Sequence, residues 1–313
     1  MCRVGVVEGE ALLSYSFPPP HPFGSERVTR FWEELARRRL GVARVEPVRA
    51  SDEEVEMFHE KEHVEFVRKA SSMGGYLDVG DTPAFNGVFE AAEVVVGSTL
   101  SLVDKVLKGK IEHGFSPVGG LHHARPDRSA GFCVFNDIGV AIEVLRSTGV
   151  KRILYVDIDV HHGDGVFYPY ENDPDVFIFD VHEDGSFIYP GTGDADETGK
   201  GKAEGTKVNL PLSPGEGDER IREILHKIEE FATWAKPEFV ILQSGCDSLA
   251  GDPLGGLAFS HVYHGQVAKL LHEYAHSACD GKMVALGGGG YDPENCASGW
   301  ASVVQSMGAK PGG

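Results

Sequence analysis

A mainly parallel β-sheet with helices on both faces is the architecture this chain predicts, and three observations predict it. Short apolar runs of strand length alternate with helical patterns along the whole chain. The central runs, Arg152–Val160 and Phe239–Gln243 among them, are apolar at successive positions, as strands buried on both faces are. Several runs end in glycines and reactive side chains, the place where open α/β sheets carry their chemistry.

The elements follow in order. Strands are expected at Arg3–Val7, Ala43–Arg49, Gly114–Val118, Arg152–Val160, Val176–Val181, Lys207–Leu212, Phe239–Gln243 and Lys282–Leu286, each a short apolar run. Helical spacing of apolar residues marks Ser25–Leu40, Lys61–Ser71, Pro83–Lys108, Asn136–Thr148, Asp218–Ala235, Ser260–His276 and Pro293–Val304. Eight strands with short connections, and no Pro/Ser-rich linker, repeat or low-complexity tract, make residues 1–313 one domain. Its 41% hydrophobic content suffices for a large core. Two long loops stand out, Met73–Thr82 and the Gly- and Asp-rich His182–Thr206; the second reads equally as a functional loop or a mobile surface excursion.

Composition narrows the function. A formal charge of −19 argues against nonspecific nucleic-acid binding and is compatible with a cationic substrate such as a lysine-rich peptide or a polyamine. The five cysteines, Cys2, Cys133, Cys246, Cys279 and Cys296, have no CxxC spacing, so neither a disulfide framework nor a thiolate zinc site is expected. Met1–Gly5 enters a strand without a signal segment, and no apolar run approaches the roughly 18 residues of a membrane span. A reduced, cytoplasmic setting is therefore expected. Side-chain amides are confined to Gln243, Gln266, Gln305, Asn86, Asn136, Asn172, Asn209 and Asn295, a scarcity that points to a thermophilic source. No heptad or isolated apolar stripe indicates an oligomer.

The most informative stretch is Tyr155-Val156-Asp157-Ile158-Asp159-Val160-His161-His162-Gly163-Asp164-Gly165. Strand alternation sends Asp157, Asp159 and His161 to one side and Val156, Ile158 and Val160 to the other. Two carboxylates and an imidazole beside a buried strand end are costly without a cation or hydrogen-bond partners, so a metal site is the better reading than an exposed edge strand. Gly119-Gly120-Leu121-His122-His123-Ala124 also follows a strand, and its histidines read as ligands, catalytic bases or surface residues. Asp247, in Gln243-Ser244-Gly245-Cys246-Asp247, is a candidate ligand or a turn cap. Gly287-Gly288-Gly289-Gly290-Tyr291 presents a phenol from a flexible loop or a tight turn. Taken together, Asp159, His161 and Asp247 would give one nitrogen and two oxygens with an open position, the pattern of a catalytic zinc site. Two nearby histidines to move protons and a Tyr hydroxyl for an oxyanion suggest metal-assisted amide hydrolysis.

These motifs, with Gly131-Phe132-Cys133, Asn136-Asp137, Pro190-Gly191-Thr192-Gly193 and Gly251-Asp252-Pro253, closely resemble the zinc-dependent histone deacetylase family, from about His21 to Trp300. The likeness is greatest to its prokaryotic branch of acetoin-utilisation proteins and deacetylase-like amidohydrolases. The resemblance implies the arginase/deacetylase α/β fold and a zinc-dependent amidohydrolase that removes acetyl or short acyl groups from lysine side chains. It implies Zn²⁺ on Asp159, His161 and Asp247, and carboxylate ligation would also suit Fe²⁺ or Co²⁺. His123 would be general base and then acid, oriented by Asp164; His122, paired with Asp157, would give electrostatic support; Tyr291 would hold the substrate carbonyl. Phe132 and Tyr189 would wall a tunnel with Gly120 at its floor, Asp81 would hold substrate backbone at the rim, and Arg27 would lie where acetate leaves. K⁺ is often bound in this family near the segment corresponding to Asp157–His161 and the next strand.

The expected partners are an acetylated lysine peptide or protein, or a small acetylated amine. Leu254 stands where acetylpolyamine deacetylases tend to place a rim Glu, which favours acetyl-lysine. A two-metal ureohydrolase would need a further carboxylate where Gly245 stands. A non-catalytic acyl-lysine reader would be expected to have lost the Tyr, a ligand or a catalytic His, and all are present.

Overall fold

The structure, a computed structural model, describes residues 3–310; Met1 and Cys2, placed above at the entry to a strand, lie outside the described residues. Eight strands form the main sheet: β1 (Val4–Val7), β2 (Ala43–Val45), β3 (His113–Ser116), β4 (Ile153–Asp157), β5 (Val176–Glu183), β6 (Lys207–Leu212), β7 (Phe239–Gln243) and β8 (Met283–Leu286). Their spatial order is β2-β1-β3-β8-β7-β4-β5-β6, and each pairing is parallel.

Strand alternation divides the core in two. Ile153, Tyr155, Ile178, Ile241 and Val284 face one apolar layer, while Leu154, Val156, Phe177, Phe179, Val240 and Leu242 face the other. The first layer is closed by α3 (Lys61–Met73), α4 (Val88–Leu107) and α5 (Asp137–Ser147). The second is closed by α1 (Glu26–Arg37), α7 (Ile221–Ala235), α8 (His261–Ala278) and α9 (Pro293–Ser306). Two single-turn helices, α2 (Asp52–Val55) and α6 (Asp164–Phe167), escape a periodicity reading because each is shorter than one apolar repeat. Helix starts carry their own signals: Asn136 caps α5 by accepting from Gly139 N–H, and Asp292 caps α9 ahead of Pro293.

Three expected boundaries are corrected. The helix expected from Pro83 begins at Val88, because Gly87 adopts φ +88° and breaks the helical path; Pro83–Ala84 instead pairs antiparallel with Gly75–Tyr76. The second strand ends at Val45, just before Glu46-Pro47, where the proline has no N–H for a ladder. The strand expected through Val160 ends at Asp157, whose side chain captures the following backbone: its Oδ1 accepts from Asp159 N–H at 3.1 Å. Four of the five cysteines are described, all buried and free.

Candidate functional site

Strands β3, β8, β7 and β4 are consecutive neighbours in the sheet, so the four loops at their C-terminal ends converge. β3 leads to Gly119–His123, β8 to Gly287–Tyr291, β7 to Asp247 on a 3-10 turn (Cys246–Ser248), and β4 to Asp159 and His161.

One ligating atom from each of Asp159, His161 and Asp247 lies within 4.8 Å of the others. Nδ1 of His161 is 3.0 Å from Oδ1 of Asp159 and 3.3 Å from Oδ2 of Asp247. Neighbouring donors fix the carboxylates from behind: Gln243 Nε2 and Gly289 N–H donate to Oδ2 of Asp159 at 2.8 and 2.9 Å, and Val160 N–H to Oδ1 of Asp247 at 3.0 Å. Oδ2 of Asp247 is buried without a hydrogen-bond partner. Burial and the Asp159 charge push Asp247 up to about 7, against the pull of His161. Two oxygens and one nitrogen, one of them orphaned, fit a divalent ion such as Zn²⁺.

Glycine is required here by close approach. A Cβ on Gly245 would stand 1.9 Å from Oδ2 of Asp159, and one on Gly289 2.1 Å from Oδ2 of Asp247. Position 245 therefore has no room for the additional carboxylate of a two-metal site.

Beside the donor set stand two buried His–Asp pairs. His122 Nδ1 is 2.8 Å from Asp157 Oδ2, and His123 Nδ1 is 2.7 Å from Asp164 Oδ1. The two environments drive the imidazoles apart. Burial disfavours a proton on His122, but the Asp157 and Asp159 carboxylates outweigh it and raise its pKa to about 10. Burial and the neighbouring His122 charge lower His123 to about 4, against the pull of Asp164. Asp164 is itself shared with Arg125, whose Nη2 donates to Oδ2 at 2.7 Å. His123 thus stays neutral at pH 7 with Nδ1–H held by Asp164 and Nε2 free to accept.

A small inner cavity bordered by Gly120, His122, His123, Asp159, His161 and Tyr291 adjoins an outer cavity of about 240 Å³. The outer cavity is lined by Asp81, Phe132, Ile188, Tyr189, Leu254 and Tyr291, together with His123, His161 and Gly131. The side chains expected at the tunnel wall and rim are therefore gathered at its mouth, and Gly120 at its inner end. Tyr189 and Leu254 are partly exposed, and the Tyr189 ring lies edge-on to His123 at 5.0 Å between centroids. Phe132 holds a left-handed φ of +66°, its N–H donating to Thr82 Oγ1 and its carbonyl accepting from Tyr15 OH. Arg27 is buried: Nη1 donates to the Gly288 and Gly290 carbonyls at 2.9 and 3.2 Å, while Nε and Nη2 have no partner.

Several contributors were not assigned a role from sequence. Gln243 holds Asp159, Arg125 shares Asp164, Tyr155 donates its hydroxyl to Asp157, and Asp252 accepts from the Tyr291 backbone. A polar Gln closing an apolar strand and an acidic residue in the Gly251-Asp252-Pro253 motif were available signals; Arg125 carried none.

A parallel sheet of this order, with a carboxylate–imidazole cluster where its central strands end, is an α/β architecture with a candidate metal-dependent site. The histone deacetylase domain matches residues 21–307, and the chain belongs to that family. It is 36% identical over 290 residues to the acetoin utilization protein AcuC of Bacillus subtilis (strain 168), covering 89% of this chain and 75% of the relative. It is 34% identical over 298 residues to a protein of Archaeoglobus fulgidus named "Probable deacetylase", covering 93% of this chain and 82% of the relative. The crystal structure of the HDA15 HD domain superposes with a TM-score of 0.91 at 30% identity, covering 99% of this chain and 90% of that one. The enzyme is thus a deacetylase of a metal-dependent family. No helix among the described residues is long and apolar enough to cross a membrane.

Proposed function

We propose that the enzyme removes acetyl or short acyl groups from lysine side chains of peptides or proteins. The observation that carries the proposal is the convergence of Asp159, His161 and Asp247 with two His–Asp pairs and Tyr291 around one inner cavity opening through an apolar-walled mouth.

Asp159, His161 and Asp247 would hold Zn²⁺, with Fe²⁺ or Co²⁺ as alternatives, and the bound ion would activate water and polarise the scissile carbonyl. Nε2 of His123 takes the proton from the attacking water, because Nδ1 is committed to Asp164. The same imidazole then delivers that proton to the departing amine. His122, held charged by Asp157, stabilises the negative charge that develops beside it. The Tyr291 hydroxyl donates to the oxyanion; burial, ahead of the Asp247 and Asp159 charges, keeps this phenol protonated. Phe132 and Tyr189 would clasp the alkyl stem, Asp81 would hold substrate backbone at the rim, and Arg27 would guide acetate behind Gly288.

Leu254 at the rim supplies an apolar contact where an ammonium group would call for a carboxylate, which supports a peptide substrate over the alternative, an acetylpolyamine or other small acyl amine. The reading extends to K⁺ beside the Asp157–His161 segment, but Asp180 there departs from the small neutral residue common in relatives, and its carboxylate is already engaged by Gly163 N–H and His182 Nδ1. Free buried cysteines support a reducing, cytoplasmic setting, and the scarcity of amides supports a thermophilic source.

The test is acetate release from an acetyl-lysine peptide by Zn²⁺-reconstituted protein, with Tyr291→Phe alongside. Release that collapses in the variant supports the proposal. Release only from acetylpolyamines would move the substrate to the alternative, and release from neither would remove the catalytic assignment.

A further inference from the structure

At the opposite end of the sheet from this centre, three histidines meet. His113 begins β3, and α8 presents His272 and His276 four residues apart, on one helix face. Nε2 of His113 lies 2.8 Å from Nδ1 of His272. The three ring centroids are 4.6, 5.0 and 5.1 Å apart, and one nitrogen from each ring falls within 4.8 Å of the other two. The loop after α8 closes on the third ring: Gly281, at φ +75°, passes so near that a Cβ there would stand 3.0 Å from Cε1 of His276 and 3.1 Å from its Nδ1. His113 is buried and its Nδ1 has no hydrogen-bond partner, whereas His276 is exposed.

Three imidazoles gathered this closely cannot all be charged. The carboxylates of Glu112 and Glu273 act on this cluster and would offset added positive charge.

We propose that His113, His272 and His276 form a second, non-catalytic site for a divalent transition metal. An all-nitrogen set selects Zn²⁺, Ni²⁺ or Cu²⁺ over Mg²⁺ or Ca²⁺, and the exposed side next to His276 admits water as a further ligand. The ion would tie the start of β3 to the last turns of α8, joining segments far apart in sequence. The site does not depend on the deacetylase mechanism.

The experiment is calorimetric titration of metal-free protein with Ni²⁺ and, separately, Zn²⁺, using wild type, His272→Gln/His276→Gln and Asp247→Ala. His272 is half-buried, His276 is exposed and neither belongs to the apolar core, so the double variant is expected to fold and to retain deacetylase activity. Wild type is expected to bind two equivalents of Zn²⁺, and each variant one. In the Asp247→Ala protein, Ni²⁺ is expected to raise the melting temperature, and adding the His272→Gln/His276→Gln pair should abolish that rise. A double variant that binds as many equivalents as wild type, or an Asp247→Ala protein that binds none, would overturn the proposal. One equivalent in wild type and Asp247→Ala but none in the double variant would uphold this site while removing the ion from the Asp159–His161–Asp247 centre.

Discussion

Oδ2 of Asp252 accepts the backbone N–H of Tyr291 at 2.7 Å and that of Asp292 at 3.2 Å. The phenol at the end of the glycine run is thus anchored through its own backbone, and the same Asp fixes the rim, where its Oδ1 accepts from Leu254 N–H at 3.0 Å. Two roles can be separated. Tyr291→Phe removes only the oxyanion donor and should lower kcat by about 10²–10³-fold, with metal content unchanged by elemental analysis. Asp252→Ala leaves the hydroxyl but frees its mount, and a smaller loss of kcat is expected. Equal losses in the two variants would contradict this division.

Gly245 faces Asp159 with no space between them for a side chain. Gly245→Ala should displace the Asp159 carboxylate and weaken metal binding by an order of magnitude or more, together with activity. Isothermal titration with Zn²⁺ decides this; an alanine variant with wild-type affinity would show that the loop gives way.

Leu254 sets the character of the rim. Leu254→Glu should raise kcat/KM for an acetylpolyamine and lower it for an acetyl-lysine peptide, because a carboxylate at the mouth attracts the free amines of the polyamine. Parallel kinetics on the two substrates measure the shift. An unchanged ratio would remove Leu254 from substrate selection.

Acid stability should depend on a histidine behind the site. Nε2 of His59 accepts the Asn136 N–H at 2.8 Å, and Asn136 Nδ2 donates to the carbonyls of Ala124 and Gly165, flanking the His122–His123 and Asp164 loops. Burial, then the adjacent His63, lowers His59 to about 3 from an ordinary value of 6.5. Between those values the unfolded chain binds a proton that the folded one refuses. The stability contributed by a neutral His59 is therefore full above pH 6.5 and is lost as pH falls toward 3. This one proton gives a slope of up to about 1.4 kcal/mol per pH unit. His59→Gln keeps an acceptor for Asn136 without the titration, so its loss of stability on acidification should be shallower in denaturant melts. Parallel slopes would refute the assignment.

Much of this was legible in the sequence because local patterns report local physics. The alternation Val156, Ile158, Val160 against Asp157, Asp159, His161 holds although the strand stops at Asp157: the first three are buried in the apolar layer, and the others turn to the cavity side. The helix expected from Pro83 forms but starts only at Val88, because its expected first residues belong to a short hairpin whose partner is another loop segment, a contact that periodicity cannot encode.

By itself the sequence determined the parallel α/β class, the strand ends that carry chemistry and the residue types gathered there, since period and composition are local properties. Only the tertiary structure decided which of those ends are neighbours. The order β3-β8-β7-β4 brings Asp247 to within ligand range of His161 and leaves one carboxylate oxygen without a partner. It also decided the anchoring of Tyr291 by Asp252 and the meeting of His113 with His272 and His276. Each of these is a contact between segments distant along the chain, fixed by sheet order and helix packing.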